Sequence, residues 1–145
     1  MTIQLREFTA ADYDAVLDLW RSSEGIVLRD VDARGSLLAY LQRNRGLSFV
    51  AVEANVIVGA VLCGTDGRRG YLQHLAVAAT HRRRGIGRAL VDRSLTGLQE
   101  QGIAKCHLMV LSDNVSARQF WSRLGWQDRS DVLLMSHVQP GRVTA

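Results

Sequence analysis

Residues 80–90, THRRRGIGRAL, constrain the fold more than any other part of this chain. Four arginines and two glycines lie where an apolar strand gives way to a helical pattern of apolar residues. A helix N-terminus carries unpaired backbone N–H groups and a partial positive charge, and therefore binds phosphate groups well. Gly85 and Gly87 each cost about 1 kcal/mol of helix propensity relative to alanine, which close approach of a bound group would explain. The segment predicts a strand–loop–helix unit that binds a polyanion.

Apolar residues elsewhere in the chain recur with the periods of strands and helices. Thr9 and Asp32 are placed to cap the first two helices, and Gly102 to end the third. The Ala54-Asn55 link between two β-branched segments predicts a hairpin. This order of elements predicts an α/β (α+β) fold, a mixed sheet with helices on both faces. The predicted strands span residues 3–8, 48–53, 56–63, 71–77, 105–111 and 132–138, and the last helix spans residues 114–124.

Length and composition predict a single domain. With 145 residues, 47% of them hydrophobic, the chain suffices for one substantial core rather than two. We assign residues 1–140 to one domain and residues 141–145 to a C-terminal tail. The apolar runs are too short to cross a bilayer, and the N-terminus lacks the pattern of a signal peptide. We therefore expect a cytoplasmic protein without a membrane partner.

Charge and cysteine usage exclude two further classes of function. The net charge of +4 favours acidic partners, but the arginines are spread along the chain and lack interleaved aromatic residues. No nucleic-acid partner is therefore expected. Cys63 and Cys106 match no zinc or redox spacing, and the four histidines form no ligand pair four residues apart. The sequence predicts reduced cysteines and no bound metal.

Two common phosphate-binding motifs do not fit the arginine-glycine segment. A dinucleotide fingerprint needs a third glycine three residues after Gly87, where Leu90 stands. A P-loop needs Gly-Lys-Ser/Thr, which the chain lacks. Nucleotide hydrolysis is therefore not expected.

The remaining pattern, Arg82-x-x-Gly85-x-Gly87 after the strand segment HLAV, resembles the acyl-CoA pyrophosphate loop of the GNAT superfamily of N-acetyltransferases. A later segment resembles that family's motif Asn-x-x-Ala-x-x-Phe-Tyr-x-x-x-Gly-Phe. The likeness, with the order of elements, covers essentially the whole chain. The matching residues of the second motif are Asn114, Ala117, Phe120, Trp121, Gly125 and Trp126.

The resemblance implies a single-domain GNAT-like fold whose central mixed sheet is splayed and has about six to seven strands. It implies transfer of an acetyl group from acetyl-CoA to a primary amine by direct attack in a ternary complex. The amine would belong to a small molecule or to a peptide or protein. The alternative is a non-catalytic acyl-CoA binding or sensing domain. A homodimer is a further possibility within this superfamily.

By the same resemblance, the backbone of the loop and helix start would bind the pyrophosphate, and the central strand would pair with the pantetheine arm. Asn114 would contact the pantetheine from the end of the next strand. The implied acetyl-CoA-binding residues are Leu75, Ala76, Val77, Arg82, Arg83, Arg84, Gly85, Ile86, Gly87, Arg88, Asn114, Ala117, Phe120 and Trp121.

The resemblance assigns the backbone N–H of Val77 to the oxyanion of the reaction. The acceptor must lose a proton before it attacks, because an alkylammonium has a pKa of about 10.4. Many family members use a glutamate on the central strand, where this chain offers only Tyr71, Gln73 and His74. Histidine suits proton transfer near neutral pH. Strict strand alternation, however, places His74 on the opposite face from Tyr71, Gln73 and Leu75.

Two further points concern proton transfer and the acceptor. Glu53, directly or through water, is another candidate base. Trp121 stands where the family often has a tyrosine acid; its indole N–H donates a hydrogen bond without giving up a proton, and packing is an equally good interpretation. In this family the acceptor is bound largely between the first two helices, here about residues 22–32, and by later loops such as the turn around Asp66. Acidic side chains there, Asp32 among them, would attract a cationic amine.

Overall fold

The computed structural model describes residues 2–141, and its centre is a mixed five-stranded sheet in the order β1-β2-β3-β4-β5. Strands β1 to β4 are antiparallel neighbours, and β5 pairs with β4 in parallel. The predicted mixed α/β architecture is confirmed. The strands are β1 (Gln4–Glu7), β2 (Phe49–Glu53), β3 (Val56–Thr65), β4 (Gly70–Val77) and β5 (Cys106–Leu108).

Helices cover both faces of the sheet. The helices α1 and α2 pack on one face, and α3 packs on the other together with part of α4. A short 3-10 turn precedes each of the first two helices. The bounds are α1 (Tyr13–Arg21), α2 (Arg34–Arg43), α3 (Ile86–Glu100) and α4 (Val115–Arg123), with the 3-10 turns at Ala10–Asp12 and Asp30–Asp32. No helix within the described residues is long and apolar enough to cross a membrane.

Two apolar clusters, one on each face of the sheet, hold the layers together. Trp20 of α1 is completely buried against the face that carries Val50 and Leu62. On the opposite face, Leu90 and Leu98 of α3 pack into the second cluster. Each such side chain contributes about 1.5–3 kcal/mol on burial. Because both faces are covered, β2 and β3 are apolar at nearly every position, as the sequence predicted.

The predicted hairpin and the end of the third helix are confirmed. Ala54 and Asn55 both have positive φ, 50° and 67°, as a two-residue turn of type I′ between right-twisted strands requires. At the end of α3, Gly102 has φ +79°, and the next residue, Ile103, donates its N–H to the carbonyl of Leu98 at 2.9 Å. This left-handed cap satisfies a terminal carbonyl and ends the helix.

The predicted role of Asp32 as the cap of the second helix is wrong. The helix begins at Arg34, and Asp32 is the last residue of the preceding 3-10 turn. Its carboxylate accepts the backbone N–H of Arg29 at 3.0 Å, which closes that turn. An aspartate forms such a local bond as readily as a helix cap, and the residue pattern is the same for both.

The predicted final strand at residues 132–138 is also wrong, and the sheet formed by the described residues has five strands rather than six to seven. Within the described part of the chain, this segment is irregular, and its apolar side chains are exposed, Leu133 to 89%. The strand predicted at residues 105–111 shortens to Cys106–Leu108. Residues with high strand propensity form a strand only where they can pair with the edge strand of a sheet, and propensity alone does not provide that pairing. Of the predicted tail, residues 142–145 lie outside the described residues.

Candidate active site

The parallel pair β4 and β5 separates after three residues. Its register joins Gly70 to Cys106 and Leu72 to Leu108, after which β5 ends while β4 continues to Val77. This leaves a gap alongside the second half of β4.

Backbone groups of β4 point into this gap. Ala78 donates its N–H to the carbonyl of Val58 in β3 at 2.8 Å. Alternate residues of an antiparallel strand direct their backbone groups to opposite sides, so the N–H of Val77 points away from β3. Leu75, two residues earlier, has the same orientation. The two positions that the family resemblance assigned to the pantetheine arm therefore line one gap.

The arginine-glycine loop lies directly beyond β4 and ends at the N-terminus of α3. Gly85 is the residue before the helix and has φ +79°, a conformation that strains any residue with a Cβ. Arg83 has φ 63° and adds a second left-handed turn. The four arginines are exposed, and their charges lie at the positive end of the helix: Arg82, Arg83, Arg84 and Arg88.

Gly87 serves packing within the protein. A Cβ at this position would lie 3.3 Å from the ring of Phe120 and 3.7 Å from the side chain of Val77. A glycine here lets α4 approach the first turn of α3 closely. The sequence predicts close approach of a bound group at both glycines; at Gly87 the contact with Phe120 is a second reason for a glycine.

Glu53, at the end of β2, supports the same loop. Its carboxylate is 2.9 Å from Nε2 of His81 and accepts a hydrogen bond from Arg84 at 3.0 Å. These two bonds hold the pKa of Glu53 below its usual range. A carboxylate so stabilised in its charged form is a poor proton acceptor, which argues against Glu53 as the base. No local sequence pattern predicts this contact, since His81 lies 28 positions after Glu53.

Asn114 caps α4 and contacts the segment between α1 and α2. Its Oδ1 accepts the backbone N–H of Ala117 at 3.1 Å. Its Nδ2 lies so close to Gly25 that a Cβ there would come within 2.6 Å. The start of α4 and the α1–α2 segment therefore meet at this asparagine.

Trp121 takes part in the C-terminal cap of α4. Gly125 has φ +92°, and Trp126 donates its N–H to the carbonyl of Trp121 at 3.0 Å. This is the Schellman arrangement, which commonly brings the two flanking side chains into contact. The indole rings of Trp121 and Trp126 meet at 5.1 Å between centroids. The spacing Trp-x-x-x-Gly-Trp thus has a structural explanation, and packing is the role that the geometry of Trp121 supports.

A bulge in β4 changes which face His74 occupies. Leu62 of β3 pairs with Gln73 and Ala60 pairs with Ala76, so three steps in β4 oppose two in β3. His74 sits in the bulge with φ 53°. The prediction that His74 lies opposite Gln73 is wrong, because the extra residue breaks strict alternation. Gln73 lines a cavity together with Asp32, the residue that contacts His74.

Two elements hold His74 in place. Its Nε2 lies 3.0 Å from Oδ1 of Asp32 in the 3-10 turn before α2. Trp20 of α1 donates its indole N–H to the carbonyl of His74 at 2.9 Å, and its ring is 4.9 Å from the imidazole. His74 remains partly exposed, whereas Asp32 is buried.

Tyr71 lies apart from this group. Its hydroxyl donates to Asp66 at 3.3 Å, and its ring lies 5.9 Å from that of His107. It belongs to the part of β4 that is paired with β5, before the gap opens. Gln73 therefore lines the cavity, His74 contacts the lining residue Asp32, and Tyr71 is not part of the lining.

That cavity has a volume of about 480 Å³ and lies between α2 and β4. The size suits a small ligand or the end of a peptide. The hydroxyl of Tyr40 is buried and has no hydrogen-bond partner among the described residues. Burial raises the pKa of Tyr40, which therefore stays protonated. The polar side chains of the lining are Asp32, Ser36, Tyr40, Arg43 and Gln73.

Comparison with known proteins identifies the class to which this fold and site belong. An acetyltransferase of Sodalis glossinidius is 31% identical over 134 residues, which is 92% of this chain and 93% of the relative. An acetyltransferase of Pectobacterium atrosepticum is 33% identical over 126 residues, with 86% and 88% covered. The chain is an acyltransferase. It belongs to the acetyltransferase (GNAT) family, whose model matches residues 13–126.

Solved structures share this fold. Ard1 of Thermoplasma volcanium matches with a TM-score of 0.76 at 24% identity, covering 86% of this chain and 82% of that one. An N-acetyltransferase, PaiA, of Thermoplasma acidophilum, solved with coenzyme A, also has a TM-score of 0.76, at 19% identity, with 86% and 89% covered. AAC(6′)-Iy, solved with the bisubstrate analogue CoA-S-monomethyl-acetylneamine, matches at 0.76 and 15% identity, covering 96% and 100%. At these identities the likeness establishes the fold.

Proposed function

We propose that this protein transfers an acetyl group from acetyl-CoA to a primary amine of a small molecule, peptide or protein by direct attack in a ternary complex. The observation that carries the proposal is the gap beside β4, which continues into the arginine-rich loop and the N-terminus of α3. A thioester arm and its pyrophosphate need these two features side by side.

The residues present fit acetyl-CoA. The pyrophosphate would bind the backbone N–H groups of residues 82–88, with the exposed arginines adding charge. The pantetheine arm would pair with the free backbone groups of Leu75 and Val77, as an added strand does. On the other side of the gap, Asn114 and Phe120 present the start and inner face of α4. The phosphate end and the arm would thus be held by two adjoining elements.

The chemistry needs one bond formed and one broken. When bound, acetyl-CoA supplies a thioester whose carbonyl carbon is attacked by the amine nitrogen; a C–N bond forms, the C–S bond breaks and a thiolate leaves. The N–H of Val77 would donate to the developing oxyanion, a preorganised dipole aimed at the new charge. A thiol has a pKa of about 8.5, so the thiolate leaves without a strong acid. This suits a site with Trp121 in place of tyrosine.

Among the predicted bases, His74 is the one that the geometry supports. It adjoins the cavity that Gln73 and Asp32 line, and it lies three residues from Val77. The amide of Gln73 does not titrate, and it would orient the acceptor by hydrogen bonding. The position of Tyr71 on the paired part of β4 argues against it in this role. We therefore place the acceptor amine in the cavity between α2 and β4.

The proposal is tested by mixing the purified protein with acetyl-CoA and a panel of polyamines, amino acids, peptides and aminoglycosides, and measuring free thiol. Release of CoA that depends on the amine is expected. A melting temperature that rises with acetyl-CoA, without any thiol release across the panel, would instead identify a binding domain. If neither signal appears, the gap does not bind acetyl-CoA and the proposal fails.

A further inference from the structure

His74 adopts a backbone conformation that few residues with a Cβ tolerate. Its φ of 53° lies in the left-handed region, and the bulge of β4 places it there. Such conformations persist only where surrounding contacts hold them, and they concentrate at functional sites. Here the contact is the hydrogen bond from Trp20 of α1 to the carbonyl of His74. The fold therefore holds the backbone of His74 in a strained conformation.

In this backbone conformation the imidazole of His74 is directed towards Asp32. Nε2 of His74 points at Oδ1 of Asp32, 42 residues earlier in the chain. The imidazole side chain is 19% exposed and the carboxylate 7%. The imidazole is therefore the more exposed member of the pair.

Asp32 is held in its charged form. Burial alone would raise its pKa, but hydrogen bonds from His74 and from the N–H of Arg29 outweigh burial and lower it. A charged carboxylate only accepts hydrogen bonds, so Nε2 of His74 must carry a proton. The Nδ1 of the neutral imidazole then has a free lone pair. The contact with Asp32 thus sets the tautomer that a base needs.

Few charges surround the pair. The 3-10 turn contributes Asp32 itself, and the Arg29 side chain acts on it through its charge. From α1, the neutral Trp20 covers the ring, and the hydroxyl of Tyr13 donates to the carbonyl of Asp32 at 2.8 Å. Asp32 is therefore the one carboxylate that the structure places in contact with this imidazole within the described residues.

We propose that Asp32 is a positioning residue: it fixes the tautomer and orientation of His74, whose Nδ1 takes the proton that the acceptor amine loses. This inference rests on the proposed function, since it concerns the same reaction. The proton moves from the amine nitrogen to Nδ1, the Nε2–H stays bonded to Asp32, and the resulting imidazolium is stabilised by the carboxylate. Its exposed edge then returns the proton to water. That is the proton of the ammonium; the second N–H proton, which the nitrogen loses as the amide forms, goes to the leaving thiolate and gives free CoA.

The test replaces Asp32 by asparagine, which keeps the shape and removes the charge. The amide of Asp32→Asn can donate to Nε2 and favour the wrong tautomer. We expect kcat to fall roughly 10- to 100-fold. This is less than the full contribution of a general base to the rate, about 10²–10⁴-fold, because the base itself is still present. The KM for acetyl-CoA should stay within about twofold, because Asp32 lies outside the proposed CoA gap. The acid limb of the kcat/KM–pH profile should move to lower pH.

Asp12 offers a matched control. It too is buried at the end of a 3-10 turn, and its carboxylate accepts the N–H of Thr9 at 2.9 Å and pairs with Arg6 at 2.7 Å. Asp12→Asn therefore removes a charge of the same kind from a turn that does not contact His74. It should lower the melting temperature while leaving kcat and the pH profile unchanged.

The variants are read together with His74→Gln. In that background Asp32→Asn should have little further effect on kcat, because a positioning residue acts only through its partner. An active wild type whose kcat and pH profile survive Asp32→Asn would overturn the role of Asp32 alone. A wild type inactive with every amine would overturn the proposed function and, with it, this inference.

One measurement needs neither turnover nor a substituted Asp32. Nitrogen-15 NMR of the wild-type histidines, with His74→Gln to assign the signal, reports the tautomer of His74 directly. The inference requires the Nε2–H form when the imidazole is neutral. A neutral His74 protonated on Nδ1 would overturn it, even if Asp32→Asn failed to fold.

Discussion

Gly25 lies where the segment between α1 and α2 meets the start of α4. Its φ is +81°, and a Cβ would come within 2.6 Å of Nδ2 of Asn114. One residue therefore serves two needs, a left-handed backbone and space for the neighbouring amide. Only the first can be read from a turn-like sequence, because the second depends on a contact with a residue 89 positions later in the chain.

Comparing Gly25→Ala with Gly46→Ala distinguishes the effect of the left-handed backbone from the effect of the space that Asn114 requires. Gly46 has φ +78° and no atom within 4 Å of an added Cβ. Both variants should lose about 1–2 kcal/mol for placing an L-residue in the left-handed region. Only Gly25→Ala should displace Asn114 and raise the KM for acetyl-CoA. Thermal unfolding and steady-state kinetics measure the two effects, and equal KM values in both variants would show that Asn114 does not contact the pantetheine arm.

Two buried aspartates predict how stability depends on pH. The pKa of Asp12 and that of Asp32 are both lowered: burial opposes the shift, but the partners together outweigh it, Arg6 and Thr9 for Asp12 and His74 and Arg29 for Asp32. A lowered folded-state pKa adds stability above the unfolded value of about 3.9 and loses it as the pH falls towards the folded value. The melting temperature should therefore decrease as the pH is lowered below about 4. Asp12→Asn and Asp32→Asn should each flatten that drop; a slope equal to that of the wild type would contradict the assignment.

Among the elements, the loop between β4 and α3 depends on β2. Glu53 ends β2 and fixes His81 at one end of the loop and Arg84 near the other. The contact holds two residues of the arginine-glycine segment before any ligand binds. Preorganisation of this kind reduces the ordering cost of binding. Phe120 of α4 adds support by packing on the first turn of α3 at Gly87.

Glu53→Gln should weaken acetyl-CoA binding without changing the chemical step. We expect the KM for acetyl-CoA to rise roughly three- to tenfold and kcat to stay within about twofold, as for a residue that orders a binding loop. Glu7→Gln is the matched control, since Glu7 also ends a strand and accepts the N–H of Gly46 at 2.6 Å, away from the loop. A large fall in kcat for Glu53→Gln, with KM unchanged, would restore Glu53 as a candidate base.

At the scale of the whole molecule, the elements that the sequence predicted well are those defined by neighbouring residues. The hairpin at Ala54 and Asn55, the stop at Gly102 and the strand–loop–helix unit all depend on residues close in the chain. The same holds for the two motifs that resemble the family, because the first forms a loop and a helix N-terminus and the second forms α4 with its two caps. Local rules are sufficient for such features.

The remaining features depend on partners that are distant in sequence. The bulge at His74 needs the register of β3, and the contact of His74 with Asp32 spans 42 residues. The segment at residues 132–138 has the composition of a strand but forms no part of the sheet in the described structure. Neither period nor propensity contains this information. The positioning of the candidate base therefore emerged only from the folded chain.

We propose acetyl transfer to an amine at the gap between β4 and β5. Its most direct measurement follows both products of one reaction by mass spectrometry, after acetyl-CoA and an amine acceptor are mixed with the wild-type protein. We predict that free CoA and the acetylated amine appear in equal amounts, and that neither forms at an appreciable rate when the protein is omitted. Release of CoA without any acetylated amine, or no product with any acceptor, would contradict the account.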